Sequence, residues 1–494
     1  MRSKASLSLL VPALLSLGGC LLGPNYSRPA IDTPATYRFA VGETAEVANT
    51  AWWEQFQDPV LNELIATALA DNKDVKIAAA RVDQFLGQFV TTRSGLFPQV
   101  AAGFDAQRQR VSQSGGVPLP GGVSPVYNSF EPTLSAAWEI DLFGKVRRQT
   151  ESARASLLAS EEGRRATILT LVASVATSYI NLRDLDRQLE IAKTTTESRA
   201  ESVHVFTLRF QGGDVSQMEL AQSQSEYEAS LATIPQLETQ IAQQENALSI
   251  LLGRNPGDIM RGRELSDLSI PAVPAGLPSD LLVRRPDVLQ AEQNLVAANA
   301  LIGAARALYF PSISLTGLFG SASGEFSKLF TGPARVWAFA GSVSVPIFTA
   351  GSISGQVRQA EAQQQQALFQ YQQAIQTAFQ EVDDALISLQ KSREQLVVQE
   401  RQVDALRTYA HLARLRFEGG YTSYIEVLDA ERSLFNAELS YTQTNGLVFN
   451  SLVALYKAMG GGWVITAEQM THQTPQQEGS GVQKAADALA ELPR

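Results

Sequence analysis

The chain has 494 residues, with 45% hydrophobic, 18% charged, and 40 Lys and Arg set against 50 Asp and Glu for a formal net charge of -10. That balance suits a large folded core, excludes a disordered chain, and offers no basic surface to a phosphate backbone, so no nucleic acid is expected as a partner. One cysteine and three histidines exclude an internal disulfide or a thiolate metal cluster, and no cofactor is expected.

Residues 1–19 read as a secretory signal, with Arg2 and Lys4 ahead of an apolar run from Leu7 to Leu17 and the small residues Gly18 and Gly19. The run is too short to span a bilayer. Leu17-Gly18-Gly19-Cys20 is similar to a bacterial lipobox, in which the cysteine is lipidated and becomes the mature N-terminus. By the same resemblance, Leu21 in place of Asp implies sorting to the outer membrane. Residues 20–58 are expected as a lipidated, extended N-terminal segment.

From residue 59 onward the sequence repeats itself. At an offset of 213, Lys73-Asp74-Val75 matches Pro286-Asp287-Val288, and Leu96-Phe97-Pro98 matches Tyr309-Phe310-Pro311. Near 207, Arg209-Phe210-Gln211-Gly212-Gly213 matches Arg416-Phe417-Glu418-Gly419-Gly420, with Glu219 opposite Glu426. Two copies of this size mean a duplicated domain and not a solenoid. The expected boundaries are 59–256 and 285–461, with a linker over 257–284 and a flexible tail over 462–494.

Each copy opens with helical periodicity, Pro59 to Gly95 in the first, and then alternates. Phe130, Leu134, Ala136, Trp138 and Ile140 fall on one face of a strand, with Ser129, Glu131, Thr133, Ser135 and Glu139 on the other. A partner strand lies near Val100 to Val111, and Gln113 to Pro125 is the loop between them. In the second copy Ile313, Leu315 and Phe319, then Trp337, Phe339, Val343 and Val345, alternate with small and polar residues. Four strands in two hairpins, about 100–140 and 312–347, are expected.

Two proline-free helical stretches follow, Lys145 to about Phe210 and Gln356 to about Phe417, each long enough to reach roughly 90 to 100 Å. Ala360, Ala367 and Ala374 recur every seven residues, a small-residue seam for coiled-coil-like packing. Gly212-Gly213 and Gly419-Gly420 end these helices, with tips near 211–216 and 418–423, and Ser216 and Ser423 are placed to cap the returning helices, Gln217 to Leu252 and Tyr424 to Met459. Ala166 to Leu182 lacks any charge, but its hydroxyls and Asn181 argue against a membrane helix.

A four-stranded sheet with one apolar face leaves two edges unpaired, and in a bilayer other chains must close them. Eight strands from two chains or twelve from three both satisfy the spacing. Gly23-Pro24-Asn25-Tyr26-Ser27-Arg28-Pro29, Trp52-Trp53 with Phe56 and Asp58-Pro59, Arg284-Arg285-Pro286-Asp287 and the paired Arg-Phe-x-Gly-Gly tips together resemble the TolC-like outer membrane factor family, in its lipoprotein (NodT-type) branch of tripartite efflux systems. The resemblance covers about Cys20 to Gly461. It implies an α+β membrane protein: a homotrimer with a twelve-stranded transmembrane β-barrel continued by a periplasmic α-helical barrel. It further implies outer membrane lipid around the strands, and a periplasmic adaptor protein and an inner-membrane RND-type pump at the helix tips.

By that resemblance the second tip closes the tunnel. The matching residues are Ile425, Glu426 and Asp429, where the two carboxylates share a helix face and threefold repetition would gather six of them. Arg209, Gly212, Gly213, Ser216, Arg416, Gly419, Gly420 and Ser423 become the adaptor-contacting tip residues. The places where some members carry a basic or tyrosine latch hold Thr422 and Phe417, so such a latch is not expected. Gly320-Ser321-Ala322-Ser323-Gly324 has Ala where a nucleophile elbow needs Ser, and His204 and His411 read as helix-surface residues, so no enzyme is expected. A type I protein secretion duct and a lipid-anchored coiled-coil scaffold stay as alternatives to the efflux channel.

Overall fold

The computed structural model describes residues 21–39, 51–112, 124–270, 281–460 and 463–472. The signal, Cys20 and most of the loop after the first strand lie outside the described residues. The principal elements are α1 (Pro59–Asp71), α2 (Lys73–Ser94), β1 (Gln99–Arg110), β2 (Val126–Ile140), α3 (Lys145–Gly212) and α4 (Gln217–Leu251). The second copy repeats the order with α5 (Pro286–Ala307), β3 (Ser312–Ser321), β4 (Arg335–Ser344), α6 (Ser352–Glu418) and α7 (Tyr424–Ala458), and a last helix α8 (Trp463–His472) follows. The chain folds into two compact units, one of Met1–Ala30, Asp83–Ala159 and Ala291–Tyr371, the other of Ile31–Val82, Ser160–Gln290 and Gln372–Arg494.

The first unit holds one antiparallel sheet in the order β1-β2-β3-β4. The register settles which side chains share a face. Ala102, Leu134, Phe319 and Trp337 form one row across all four strands, and Val100, Ala136, Gly317 and Phe339 form another on the same face. Asp105 opposite Glu131, and Glu139 opposite Ser314 and in turn Ser342, lie on the other face. Phe104, Leu134, Leu315, Phe319, Trp337, Phe339 and Val343 are all exposed. Apolar side chains are left in the open here because, among the described residues, no layer packs on this face of the sheet.

The same unit docks the chain that follows Cys20. Arg148, buried on α3, donates from Nε to the Leu22 carbonyl at 2.9 Å and from Nη2 to Asn25 Oδ1 at 2.8 Å. Gly23 and Gly303 meet backbone to backbone, and a Cβ on Gly303 would lie 2.5 Å from the Leu22 oxygen. Arg28 and Tyr26 both bond Glu292, and burial beside that carboxylate pushes the Tyr26 phenol well up.

In the second unit the core gathers Trp52, Trp53 and Phe56 with Ile168, Val172, Val175, Ala176, Tyr179 and Ile180 of α3 and with Phe449, Val453 and Tyr456 of α7. The uncharged stretch Ala166 to Leu182 is thus a core segment, and no helix among the described residues is long and apolar enough to cross a membrane. Asp58 caps α1, accepting from the Val60 amide at 2.9 Å and from the Tyr179 hydroxyl at 2.7 Å.

Three local expectations need correction. The helical stretch from Pro59 to Gly95 is two helices, because the Asn72 side chain accepts from the amides of Asp74 and Val75 and so caps a new start. The residues after 462 do not begin as a flexible tail: α8 buries Trp463, Val464 and Ala467, and Glu468 pairs with Arg164 and Arg165. The seven-residue alanine seam also shifts: Ala360 and Ala367 are buried, but beyond them two new seven-residue rows take over, Tyr371, Ala378 and Ala385 with Ile375, Val382 and Leu389, so one extra four-residue step displaces the heptad.

Candidate functional site

At the far ends of the long helices the two tips are built alike. Gly213 and Gly420 take the left-handed conformation, at φ +82° and +76°. Their amides bond to the carbonyls of Phe210 and Phe417, and the next amides, of Asp214 and Tyr421, reach back to the carbonyls of Arg209 and Arg416. This paired closure satisfies the last free carbonyls of α3 and α6, and a glycine at that position avoids the Cβ clash of positive φ. The repeated Arg-Phe-x-Gly-Gly is therefore first of all a helix stop, in which the two arginines act through their backbone.

Their side chains do something else. The Arg209 guanidinium lies over the Phe417 ring at 5.9 Å, and Arg416 reaches Glu426 at 3.4 Å. Between them, Phe206, Phe417 and Tyr424 form an aromatic cluster with ring centroids 4.0 to 5.8 Å apart. Ala413, Val427 and Ala430 complete this small core at the tips. Burial raises the Tyr424 phenol above its ordinary range, with the Ser223 and Ser202 hydroxyls opposing.

The returning helices start differently. Ser216 and Glu219 form a reciprocal capping box, side chain to backbone in both directions. Ser423 does not cap with its side chain; its carbonyl instead takes the Glu426 amide at 3.2 Å. The Glu426 carboxylate does not complete a capping box either, since it is taken by Arg416 and by the Thr422 hydroxyl that donates to it. Thr422 thus makes a hydroxyl contact within its own chain, and Phe417 stacks on Phe206.

Of the residues assigned to closure, Ile425 is exposed at 59%, Glu426 is half-buried, and Asp429 is exposed and paired with Arg432 at 2.7 Å. Each carboxylate therefore has an arginine in reach, so one chain's share of this surface is two ion pairs and not two bare charges. The sequence held a signal for Arg432, three residues past Asp429 on the same helix. It held none for Arg416, which approaches from the preceding helix.

Farther up the same unit, α3 and α7 run antiparallel through a ladder of polar contacts. Gln443 donates to Gln188 at 3.2 Å and Asn450 to Asn181 at 2.7 Å. Asp184 sits between these rungs against Gly446. Burial pushes its carboxyl up to about 6, opposed by the Gln188 amide that donates to it at 2.8 Å.

The model of a family described as outer membrane efflux protein matches residues 64–254 and 277–461. The chain belongs to the outer membrane efflux protein family. Its two matched stretches fall on the two copies. The chain is 38% identical over 479 residues to a probable efflux pump outer membrane protein, TtgC, of Pseudomonas putida, covering 95% of this chain and 98% of that one. It is 36% identical to the cation efflux system protein CusC of Escherichia coli, covering 91% and 97%. The structure of the outer-membrane channel OprN superposes with a TM-score of 0.83 at 31% identity, over 90% of this chain and all of that one. This member is accordingly an outer membrane protein of an efflux system, extending into the periplasm, and it shares the channel fold.

Proposed function

We propose that this chain assembles as a homotrimer whose twelve strands close a barrel in the outer membrane and whose helices form a periplasmic tunnel, a passive exit duct with no catalytic role. The observation that carries this is the open sheet: an exposed apolar face of Phe104, Leu134, Phe319, Trp337 and Phe339, a polar second face, and β1 and β4 as edges. In hydrocarbon those edges cost several kcal/mol per unpaired group, and three copies pairing β4 to β1 remove them all. Cys20 carries lipid beside the barrel, consistent with Leu22 docked two residues later.

The tips at Gly212-Gly213 and Gly419-Gly420 meet a periplasmic adaptor protein and, through it, an RND-type inner-membrane pump. Ile425, Glu426 and Asp429 line the constriction, with Arg416 and Arg432 as counter-charges. Cargo selection belongs to the pump, and small molecules pass. Mass measurement in detergent and conductance in planar bilayers test this together: a trimer that conducts is expected, and monomers without conductance overturn it.

A further inference from the structure

Charge is segregated across the sheet. On the apolar face, read from the register, the charged residues of the four strands are Arg108 and Arg110 at the end of β1 and Arg335 at the start of β4. On the opposite face they are Asp105, Glu131 and Glu139. The three arginines are exposed and have no ion-pair partner among the described residues. All three lie at the hairpin end of the sheet, away from the helices that enter and leave it.

The connection between β3 and β4 lies over that same end. Phe326 packs edge-on against Phe130, a ring of the apolar face, at 5.5 Å. Phe330 stands 82% exposed, with Lys328 between the two aromatics and paired to Glu325 at 2.8 Å. Aromatic rings beside long cationic side chains at the rim of an apolar band mark the level where acyl chains give way to headgroups.

We infer that Arg108, Arg110 and Arg335, with Lys328, form a binding surface for the phosphate groups of an anionic glycolipid in the outer leaflet. This rests on the duct reading above, which turns the apolar face toward lipid. Guanidinium groups pair with phosphate oxygens in a bidentate fork, and the apolar stems of the arginines lie along the top of the acyl layer. The absence of any strand carboxylate on this face leaves its three arginines unopposed within the strands, whereas random placement of six charges would mix the signs; Glu325 beside Lys328 is the acidic group at this end. The acidic face opposite is then the wet interior of the barrel.

The test uses the purified full chain in detergent, titrated with a diphosphoryl glycolipid or with its dephosphorylated form and read by native mass spectrometry. Tighter binding of the phosphorylated lipid, by about tenfold or more, is expected. Arg108→Gln/Arg110→Gln/Arg335→Gln should erase the difference and the corresponding Lys variant should keep most of it. Equal retention of the two lipids by the unaltered protein overturns the inference, and that arm needs no variant to fold. Conductance in planar bilayers separates the two readings: a conducting trimer without phosphate preference removes this inference alone, and a chain that neither assembles nor conducts removes the duct.

Discussion

Arg416 lies 3.4 Å from Glu426 across the second tip, joining the end of one long helix to the start of the next. The same arginine closes the glycine stop with its carbonyl. One residue thus ends the helix and sets the charge of the surface beside it.

Removing the arginines and removing the carboxylates should therefore act in opposite senses. Arg416→Gln/Arg432→Gln leaves Glu426 and Asp429 unopposed, and at least a twofold rise in cation selectivity with stronger divalent block is expected in planar bilayers. Glu426→Gln/Asp429→Asn should lower both. Exposed pairs of this kind contribute only about 0–1 kcal/mol, so thermal stability should change little. Identical ion selectivity in both variants and the parent would remove these residues from the constriction.

Asp184 makes stability depend on pH. Its folded pKa, about 6, lies above the ordinary value of 3.8, so between these limits the folded chain binds the proton and the unfolded chain releases it. Stability contributed by the protonated form is present below pH 4 and is lost as pH rises through about 6. Asp184→Asn should flatten this segment of the unfolding curve and add about 1–3 kcal/mol at pH 7.5. Denaturant melts at pH 4.5 and 7.5 check it, and an unchanged difference between the two pH values counts against the burial argument.

The terminal helix should contribute to stability independently of residues 473–494. Trp463 is fully buried against Trp52 and Trp53, with ring centroids at 6.1 and 5.5 Å. Trp463→Ala should cost about 3–5 kcal/mol. Deleting residues 473–494 should leave the melting temperature within about 2 °C of the parent, on the scale where surface changes fall. A larger drop from that deletion would show that the last residues contribute to the fold.

Gly303 provides the closest test of the docked N-terminal segment. Its missing Cβ leaves room for the Leu22 carbonyl and the Arg148 side chain, which would stand 2.5 and 2.9 Å away. Gly303→Val should release residues 21–28, seen as at least tenfold faster amide exchange there, with the core stretch of α3 from Ile168 to Leu182 unaffected. Unchanged exchange over 21–28 would mean that Tyr26, Arg28 and Glu292 suffice to hold the segment.

The local pattern of the sequence determined much of this protein. Alternation separated Phe104, Leu134 and Phe319 from Asp105, Glu131 and Glu139, since period two follows from the strand backbone alone. Glycine pairs marked both tips, because positive φ is strained for residues with a Cβ, and internal repetition established two copies. Tertiary structure decided the rest. Ser216 and Glu219 form a capping box while Ser423 and Glu426 do not, although both serines precede a glutamate by three, and the Glu426 carboxylate is held by Arg416 and Thr422 instead. Asn72 breaks a helix that periodicity alone would continue, and its amide also bonds the Leu251 carbonyl, 179 residues on. Trp463 is core only because Trp52 and Trp53 meet it. Periodicity reports which face of an element is apolar; which distant residue arrives there depends on how the elements pack, and that is where ion pairs, caps and burial were settled.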